Sequence, residues 1–416
     1  VDYEGKGIAR IEGKTVFVYG ALAGEEVLIE IVKRKPSFDK AKLVEIIQAS
    51  PKRVTPECPN YGVCGGCSMQ HVSFDEQIRI KQQVLTDNLQ HLGNVVAEEI
   101  MSPLAGVPWG YRHRARLSAR YVAKKGGALV GFREKGAPYV LDMHECLILP
   151  PHVSALITPL RELVSAVSIR DKIPQIEVAV GTQVTILVIR NMEALNPEDE
   201  HLIRQFIEQY SSLENPLQIW LQPKGPETCY PFYPVDAPKL SYTIQRFSLD
   251  IPYNPSEFTQ VNPYINEEML ALSMELLAPQ AHEVIADFFC GIGNFTLPIA
   301  RLAKQVVGIE GADVLVKRAK QNAIHNGLGD KVAYQVCNLF TIDDVWLQKL
   351  GHFDKWLIDP PRDGAFELVK SITPQTAPQR IVYVSCNPAT LARDAGVLVH
   401  THGYRLLKAG VMNMFP

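Results

Sequence analysis

The sequence predicts an α/β protein in three parts: a small N-terminal β-barrel, a mixed α+β central region, and a C-terminal doubly wound parallel sheet. Short β-rich runs separated by glycines fill the first fifty residues, and helical and antiparallel patterns mix between residues 75 and 250. From about residue 283 apolar runs alternate with helical segments, which is typical of a parallel sheet covered on both faces.

Composition indicates the class of protein but not its function. The 416 residues are 46% hydrophobic and 21% charged with a net charge of −3, as expected for a globular protein of two or three domains. No apolar stretch is long enough to span a bilayer and no signal peptide is visible, so we expect a cytoplasmic protein. Since Val1 is not an initiator methionine, we expect the natural N-terminus to lie outside this sequence.

The barrel is the first predicted element, with strands at residues 5–10, 15–18 and 27–31. Basic residues follow at Lys33, Arg34, Lys35, Lys40 and Lys42. Small barrels with a basic face commonly bind single-stranded nucleic acid. A plain β-module with solvated lysines is an equally good interpretation.

The central region begins with a proline-marked linker at residues 51–59. Helices are predicted at 75–92 and 197–210, and strands at 115–123, 128–133, 139–142, 175–180 and 184–190. Its first strand is basic, with Arg112, Arg114, Arg116 and Arg120 next to Tyr111. Such a strand attracts RNA phosphates, although a solvated strand face is the alternative.

Three cysteines crowd into ten residues of the central region. Cys58, Cys64 and Cys67 form a C-x5-C-x2-C pattern among glycines and prolines, and Cys146 is the best fourth ligand. Four thiolates are the usual requirement of an iron–sulfur cluster or a structural zinc ion. Without a secretory signal, metal binding is a better interpretation than a disulfide framework.

The C-terminal strands are predicted at 284–289, 306–310, 332–336, 356–359 and 381–385, and ligands of such sheets bind beyond the carboxyl ends of the strands. The first strand enters a tight glycine loop, residues 287–294, that lacks the third glycine of a dinucleotide motif. The second ends at Glu310, which suits ribose hydroxyls, and the third precedes Asn338 at adenine height. This set favours S-adenosylmethionine over a nicotinamide cofactor, with a solvated strand end as the alternative for Glu310.

The fourth and fifth strands end in Asp359-Pro-Pro-Arg362 and in Ser385-Cys386-Asn387. A helix is predicted to start at Pro388 or Ala389, and a helix N-terminus favours the thiolate form of a cysteine. A thiolate that adds to carbon 6 of uracil makes carbon 5 nucleophilic enough to take a methyl group from a sulfonium. A lone cysteine is more often structural, but this one lies at the rim of the predicted cleft.

Together these segments resemble the RNA 5-methyluridine methyltransferase family. The resemblance rests on residues 258–262, 287–296, 359–362 and 385–394 and on the cysteine group, and it covers essentially the whole chain. It implies a Rossmann-like class I methyltransferase domain at 263–416, a central domain at 52–262, and an OB-type RNA-binding TRAM domain at 1–51.

The resemblance also implies a role for each candidate residue. Cys386 is the implied nucleophile, and Arg362 holds the uracil or its developing enolate charge. The implied S-adenosylmethionine contacts are Gln260, Phe289, Asn294, Glu310, Asn338 and Asp359; loop hydrogen bonding is the alternative for Gln260 and Asn294. Cys58, Cys64, Cys67 and Cys146 resemble the ligands of the subgroup that carries a [4Fe-4S] cluster and modifies large-subunit ribosomal RNA.

Two other interpretations stay open. A transfer-RNA methyltransferase usually lacks the barrel and the cysteine group, and a non-catalytic RNA-binding or iron–sulfur protein would not need Asp359, Arg362 and Cys386. The family's general base is a glutamate shortly after a Met-Phe-Pro-His segment, whereas this sequence stops at Pro416. We therefore expect the C-terminal tail to be missing, assign no general base, and expect a monomer without membrane association.

Overall fold

The N-terminal domain is a four-stranded sheet in the computed structural model, which describes residues 1–2 and 4–416. Its strands are β1 (Lys6–Ile11), β2 (Lys14–Tyr19), β3 (Glu26–Arg34) and β4 (Phe38–Gln48). The strand order is β1-β2-β4-β3, with β2 and β4 parallel. The three predicted strands are confirmed. The sequence pattern does not predict β4, because register shifts interrupt its pairing with β3 and its polar and apolar residues do not alternate regularly.

The central domain contains a six-stranded sheet in the order β11-β10-β9-β8-β6-β7, in which only β9 and β10 are parallel. Its elements are α1 (Phe74–His91), β5 (Glu99–Ile100), β6 (Arg114–Val122), β7 (Gly127–Gly131), α2 (Pro151–Ser154), α3 (Ile157–Ala166), β8 (Gln175–Val180), β9 (Thr185–Arg190), α4 (Pro197–Tyr210), β10 (Leu217–Leu221), β11 (Tyr230–Tyr233), β12 (Ser241–Ile244) and β13 (Leu249–Pro252). The predicted strand at 139–142 is reduced to one bridge, between Arg133 and Val140.

The C-terminal domain confirms the predicted doubly wound parallel sheet. Its elements are α5 (Pro263–Leu277), β14 (Val284–Phe288), α6 (Thr296–Leu302), β15 (Gln305–Glu310), α7 (Asp313–His325), β16 (Val332–Val336), α8 (Asp344–Leu350), β17 (Lys355–Ile358), α9 (Phe366–Lys370), β18 (Arg380–Tyr383), α10 (Pro388–His400) and β19 (Lys408–Ala409). The strand order β16-β15-β14-β17-β18 reverses between β14 and β17. Ligands of doubly wound sheets bind at such a reversal point.

Packing around this sheet joins the central and C-terminal parts of the chain. Apolar side chains of the hairpin β12–β13, including Ile244 and Ile251, share a core with Met269 of α5 and Ile285 of β14. Leu85 of α1 belongs to a second core shared with α10. The divisions at residues 51 and 262 stay predictions. Among the residues described, no helix is both long enough and apolar enough to cross a membrane.

Candidate functional site

The carboxyl ends of the parallel strands bring four predicted residues to one edge of the sheet. Phe288 is in register with Ile309 of β15 and Ile358 of β17, and Ile358 is in register with Tyr383 of β18. The next residues along these strands are Phe289, Glu310 and Asp359, and Cys386 follows β18 by three positions. This edge is where a doubly wound sheet binds its ligand.

The loop after β14 turns sharply and leaves open space beside Glu310. Phe289, Gly291 and Gly293 all have positive φ angles, of 64°, 54° and 99°, a conformation that costs glycine little. A Cβ atom added at Gly291 would meet nothing within 4 Å. The Glu310 carboxylate accepts hydrogen bonds from the Gly291 N–H at 3.2 Å and the Ala312 N–H at 3.0 Å. Glu310 is therefore held in place at the opening of the loop.

An aromatic pair borders the same edge. The ring centroids of Phe289 and Phe340 lie 5.6 Å apart, and the backbone N–H of Phe340 donates to Asn338 Oδ1 at 3.1 Å. Asn338 is exposed, as is Phe340. Two rings beside an exposed amide suit a planar, hydrogen-bonding base. Phe340 is not among the residues predicted from the sequence; its only signal there is an aromatic residue two positions after the polar strand end.

Two carboxyl groups at the edge have pKa values well above the usual range for aspartate. Burial raises the pKa of Asp287 to about 8, and Asp359 and Glu310 contribute, while Thr296 Oγ1 donates to its carboxylate at 2.5 Å. Burial raises the pKa of Asp359 to about 7. Asp287 Oδ1 is buried and has no hydrogen-bond partner in the described part of the chain. A cationic ligand would favour ionisation of both groups, which suits a sulfonium.

Asn294 and Gln260 lie beside the hairpin β12–β13 and the start of α5. Asn294 Oδ1 accepts from the hydroxyl of Tyr242 at 2.9 Å, and Asn294 Nδ2 donates to Asn266 Oδ1 at 2.9 Å. Gln260 lines a cavity of about 340 Å³ whose walls include Tyr242, Asn266 and His113. Asn294 is thus fixed by hydrogen bonds between its loop and its neighbours, and Gln260 faces the space between β6 and α5.

Cys386 is exposed in the turn between β18 and α10. Asn387 Oδ1 accepts from the Ala389 N–H at 3.1 Å and caps α10, which begins at Pro388 as predicted. The carbonyl of Arg362 accepts from Asn387 Nδ2 at 3.0 Å and from Thr390 Oγ1 at 3.2 Å. The two segments that carry the predicted nucleophile and the predicted cation are therefore directly joined.

Three of the four cysteines, from two segments of the chain, meet at one apolar core. Cys64 and Cys146 are buried in one apolar core, and Cys67 packs against it. Burial raises the pKa of all three thiols, to about 12 for Cys146, and neighbouring thiols, including that of Cys58, raise the values further. Within residues 1–2 and 4–416, no three His, Cys, Asp or Glu side chains are already placed to hold a metal ion.

The basic segment formed by β6 and the residues just before it presents fewer free charges than its sequence predicts. The guanidinium of Arg112 lies 5.5 Å from the centre of the Phe132 ring, and that of Arg114 lies 5.6 Å from the centre of the Tyr253 ring. Arg116 forms an ion pair with Glu177 at 3.1 Å. Two of the four arginines therefore serve internal packing, a use that local sequence does not distinguish from RNA binding.

Two family models match the chain. The model described as tRNA (Uracil-5-)-methyltransferase matches residues 241–416, and the TRAM domain model matches residues 1–44. The first model therefore includes the hairpin β12–β13 together with the parallel sheet. The second model supports the prediction that the N-terminal domain is a TRAM domain.

Curated relatives match the whole chain. The chain is 57% identical to a 23S rRNA (uracil(1939)-C(5))-methyltransferase RlmD of Chromobacterium violaceum, over 100% of the chain and 81% of the relative. It is 54% identical to the enzyme of the same name from Nitrosospira multiformis, over 100% of the chain and 94% of the relative.

A solved structure shares the fold. The tRNA (uracil-54, C5)-methyltransferase of Pyrococcus abyssi, in complex with S-adenosyl-L-homocysteine, superposes with a TM-score of 0.72 at 22% identity. The match covers 99% of this chain and 96% of that one. At this identity the likeness concerns the fold alone, and it extends through all three predicted parts.

Proposed function

The chain belongs to the RNA uracil-C5 methyltransferase family, and we propose that it methylates carbon 5 of a uridine in large-subunit ribosomal RNA with S-adenosylmethionine as donor. The observation that carries this proposal is the exposed thiol of Cys386 at the sheet edge that also holds Asp359 and Glu310. The choice of ribosomal RNA rests on relatives at 57% and 54% identity whose names specify 23S rRNA.

In this proposal Cys386 supplies covalent catalysis. Its thiolate adds to carbon 6 of the uracil, and the electron pair of the 5,6 double bond moves to carbon 5 as an enolate. Carbon 5 then attacks the methyl group, and the carbon–sulfur bond breaks to release S-adenosylhomocysteine. A base, solvent or a residue not assigned within this sequence, takes the proton on carbon 5, and the electron pair of that bond restores the double bond and expels the thiolate. The Arg362 guanidinium balances the enolate charge.

The remaining edge residues are proposed to hold the donor. Glu310, oriented by two backbone N–H groups, would accept hydrogen bonds from the ribose hydroxyls. Phe289 and Asn338 would flank the adenine, with Phe340 completing the aromatic surface. Asp359 would ionise beside the positive sulfonium. Gln260 and Asn294 are proposed to close the far end of the site, with Asn294 held by Tyr242 and Asn266.

The cysteine group is proposed to hold a [4Fe-4S] cluster through Cys58, Cys64, Cys67 and Cys146. Cys64, Cys67 and Cys146 meet at one apolar core, and Cys58 lies near enough to Cys64 and Cys67 to raise their pKa values. Together they would supply the four thiolates that such a cluster requires, and zinc is the alternative metal. When bound, the cluster would supply structural cross-linking rather than electrons, since methyl transfer involves no change of redox state.

RNA binding is proposed to use the N-terminal domain and the exposed end of β6. Lys33, Arg34, Lys35 and Arg120 are exposed, and exposed cations attract phosphates despite a net charge of −3. The target base must leave its stack to reach Cys386. We propose that the protein acts in the cytoplasm, because ribosomal RNA of the bacterial relatives is made in that compartment, and we keep the expectation of a monomer as a proposal.

The direct test is a mechanism-based adduct. Transcribed ribosomal RNA that contains 5-fluorouridine is incubated with the protein and S-adenosylmethionine. Fluorine on carbon 5 cannot leave as a proton, so the Cys386–RNA adduct should accumulate and survive denaturing electrophoresis. Cys386→Ala should lose the adduct while it keeps RNA binding, whereas Cys229→Ala, at a thiol outside the site, should retain it.

The other outcomes separate the competing functions. An adduct with transfer RNA but not with ribosomal RNA would assign the activity to the transfer-RNA subgroup. Cofactor and RNA binding without an adduct on either RNA would contradict the proposal and support a non-catalytic RNA-binding protein.

A further inference from the structure

We propose that Asp394 is a positioning residue that holds the segment carrying Arg362 in register with Cys386. This inference rests on the proposed function, because it concerns the relative placement of the nucleophile and the cation of that reaction. Asp394 lies on α10, about two helical turns beyond Cys386. Its side chain touches neither of the reacting groups, so any effect on the reaction is indirect.

The Asp394 carboxylate joins three parts of the site. It is fully buried. Its Oδ2 accepts from the hydroxyl of Tyr383, the last residue of β18, at 2.6 Å and from the backbone N–H of Ala365 at 2.7 Å. Its Oδ1 accepts from Arg393 Nε at 2.8 Å. The single carboxylate therefore links β18, α10 and the segment that follows Arg362.

Further bonds from α10 hold the backbone of that segment. Arg393 Nη2 donates to the carbonyl of Asp363 at 2.8 Å, and Asn387 Nδ2 and Thr390 Oγ1 donate to the carbonyl of Arg362. Residues 362, 363 and 365 are each bonded to α10. The hydrogen bonds thus reach the residue that carries the proposed catalytic guanidinium.

Close packing at Gly364 restricts the segment in the same place. Gly364 has a φ of +78°, and a Cβ atom there would lie 2.6 Å from Arg393 Nη2 and 2.7 Å from Asp394 Oδ2. Real Cβ atoms do not approach other atoms so closely, so only glycine lets the backbone contact this ion pair. The contact requires both Gly364 and Asp394. The placement of the segment can therefore be tested by changing either residue.

The proposal predicts a defect in chemistry rather than in binding. A shift of about 1 Å in a catalytic group can slow a reaction about 100-fold, whereas contacts to RNA and cofactor elsewhere would persist. We expect Asp394→Asn to slow formation of the 5-fluorouridine adduct about 100-fold at saturating RNA and cofactor, with dissociation constants of both changed less than about threefold. Asp199→Asn removes a similarly buried carboxylate that accepts from the backbone N–H of Asn196, the N-cap of α4, and it should form the adduct at the wild-type rate.

A double-mutant cycle distinguishes positioning from general destabilisation. If Asp394 acts through Arg362, the Asp394→Asn change should slow the reaction less than about twofold in an Arg362→Ala background. Gly364→Ala, which perturbs the same contact from the other side, should reproduce the loss of rate if Asp394→Asn fails to fold. Multiplicative effects in the cycle, or a wild-type rate in both Asp394→Asn and Gly364→Ala, would overturn the proposal. A wild-type protein that forms no adduct would overturn the proposed function instead.

Discussion

Two carboxyl groups at the sheet edge, those of Asp287 and Asp359, keep their protons at pH values where most carboxyls are ionised. Burial raises their pKa values to about 8 and about 7, against about 3.9 for an aspartate in an unfolded chain. Between these limits the folded state therefore holds more protons than the unfolded state. The stability that each group contributes is present below about pH 4 and is lost as the pH rises through its folded pKa.

The pH dependence of unfolding should report this directly. In cofactor-free wild-type protein, the free energy of unfolding should fall as the pH rises from 5 to 7. Asp359→Asn should make the slope of this fall shallower by about 1.4 kcal/mol per pH unit, the value for one proton. Urea unfolding at pH 5, 6 and 7 measures it. Identical slopes in the wild type and the variant would mean that Asp359 is ionised in the folded protein.

At the scale of elements, the N-terminal domain is tied to the linker by a buried ion pair. Arg53 Nε and Nη2 donate to the Glu25 carboxylate at 2.6 and 2.7 Å, and Arg53 Nη2 also reaches the carbonyl of Gly20. Burial alone would raise the pKa of Glu25, but the hydrogen bonds from Arg53, Leu22 and Ser50 outweigh it and lower the value. Leu22 adds an apolar contact with Met69 and Val72 of the cysteine-bearing segment.

Arg53→Ala should therefore destabilise the protein by about 2–3 kcal/mol, because it leaves a buried carboxylate with fewer donors. Arg405→Ala is the matched control, since Arg405 pairs with Glu98 while the two side chains stay 74% and 49% exposed, and such pairs contribute about 0–1 kcal/mol. Chemical denaturation of both variants gives the comparison. Equal losses of unfolding free energy in the two variants would show that the Arg53–Glu25 pair contributes no more than a surface ion pair.

At the scale of the whole molecule, the proposed cluster would cross-link distant parts of the chain. Cys58, Cys64 and Cys67 follow the N-terminal domain directly, and Cys146 lies beyond the hairpin β6–β7. A cross-link that closes a loop of roughly 80 residues removes entropy from the unfolded chain worth about 4.5 kcal/mol. The cluster would therefore fix the segment that follows the N-terminal domain relative to the central sheet.

Cys146→Ser should lose both iron and acid-labile sulfide and unfold at a lower temperature than the wild type. Cys229→Ser, at a half-buried thiol outside the group, should keep its metal content. Metal analysis and thermal unfolding of anaerobically purified protein test both statements. Zinc without sulfide in the wild-type protein would identify a zinc site instead of a cluster.

The sequence alone determines the parallel sheet and the residues at its carboxyl edge. Buried parallel strands appear as short apolar runs, so Glu310, Asp359 and Cys386 can be placed from the residue that follows each run. The local signals at Pro197 and Pro388 also predict the starts of α4 and α10, because capping depends on a few consecutive residues.

Only the tertiary structure decides which side chains are available at those positions. Asn294 is bonded to Asn266 and Tyr242, and Arg114 packs on Tyr253, although both look free to bind a ligand in the sequence. Asp394 looks like an ordinary polar residue of an amphipathic helix until the fold places Ala365 and Tyr383 beside it. The physical reason is that backbone pattern depends on near neighbours in the chain, whereas burial and hydrogen-bond partners depend on residues distant in sequence.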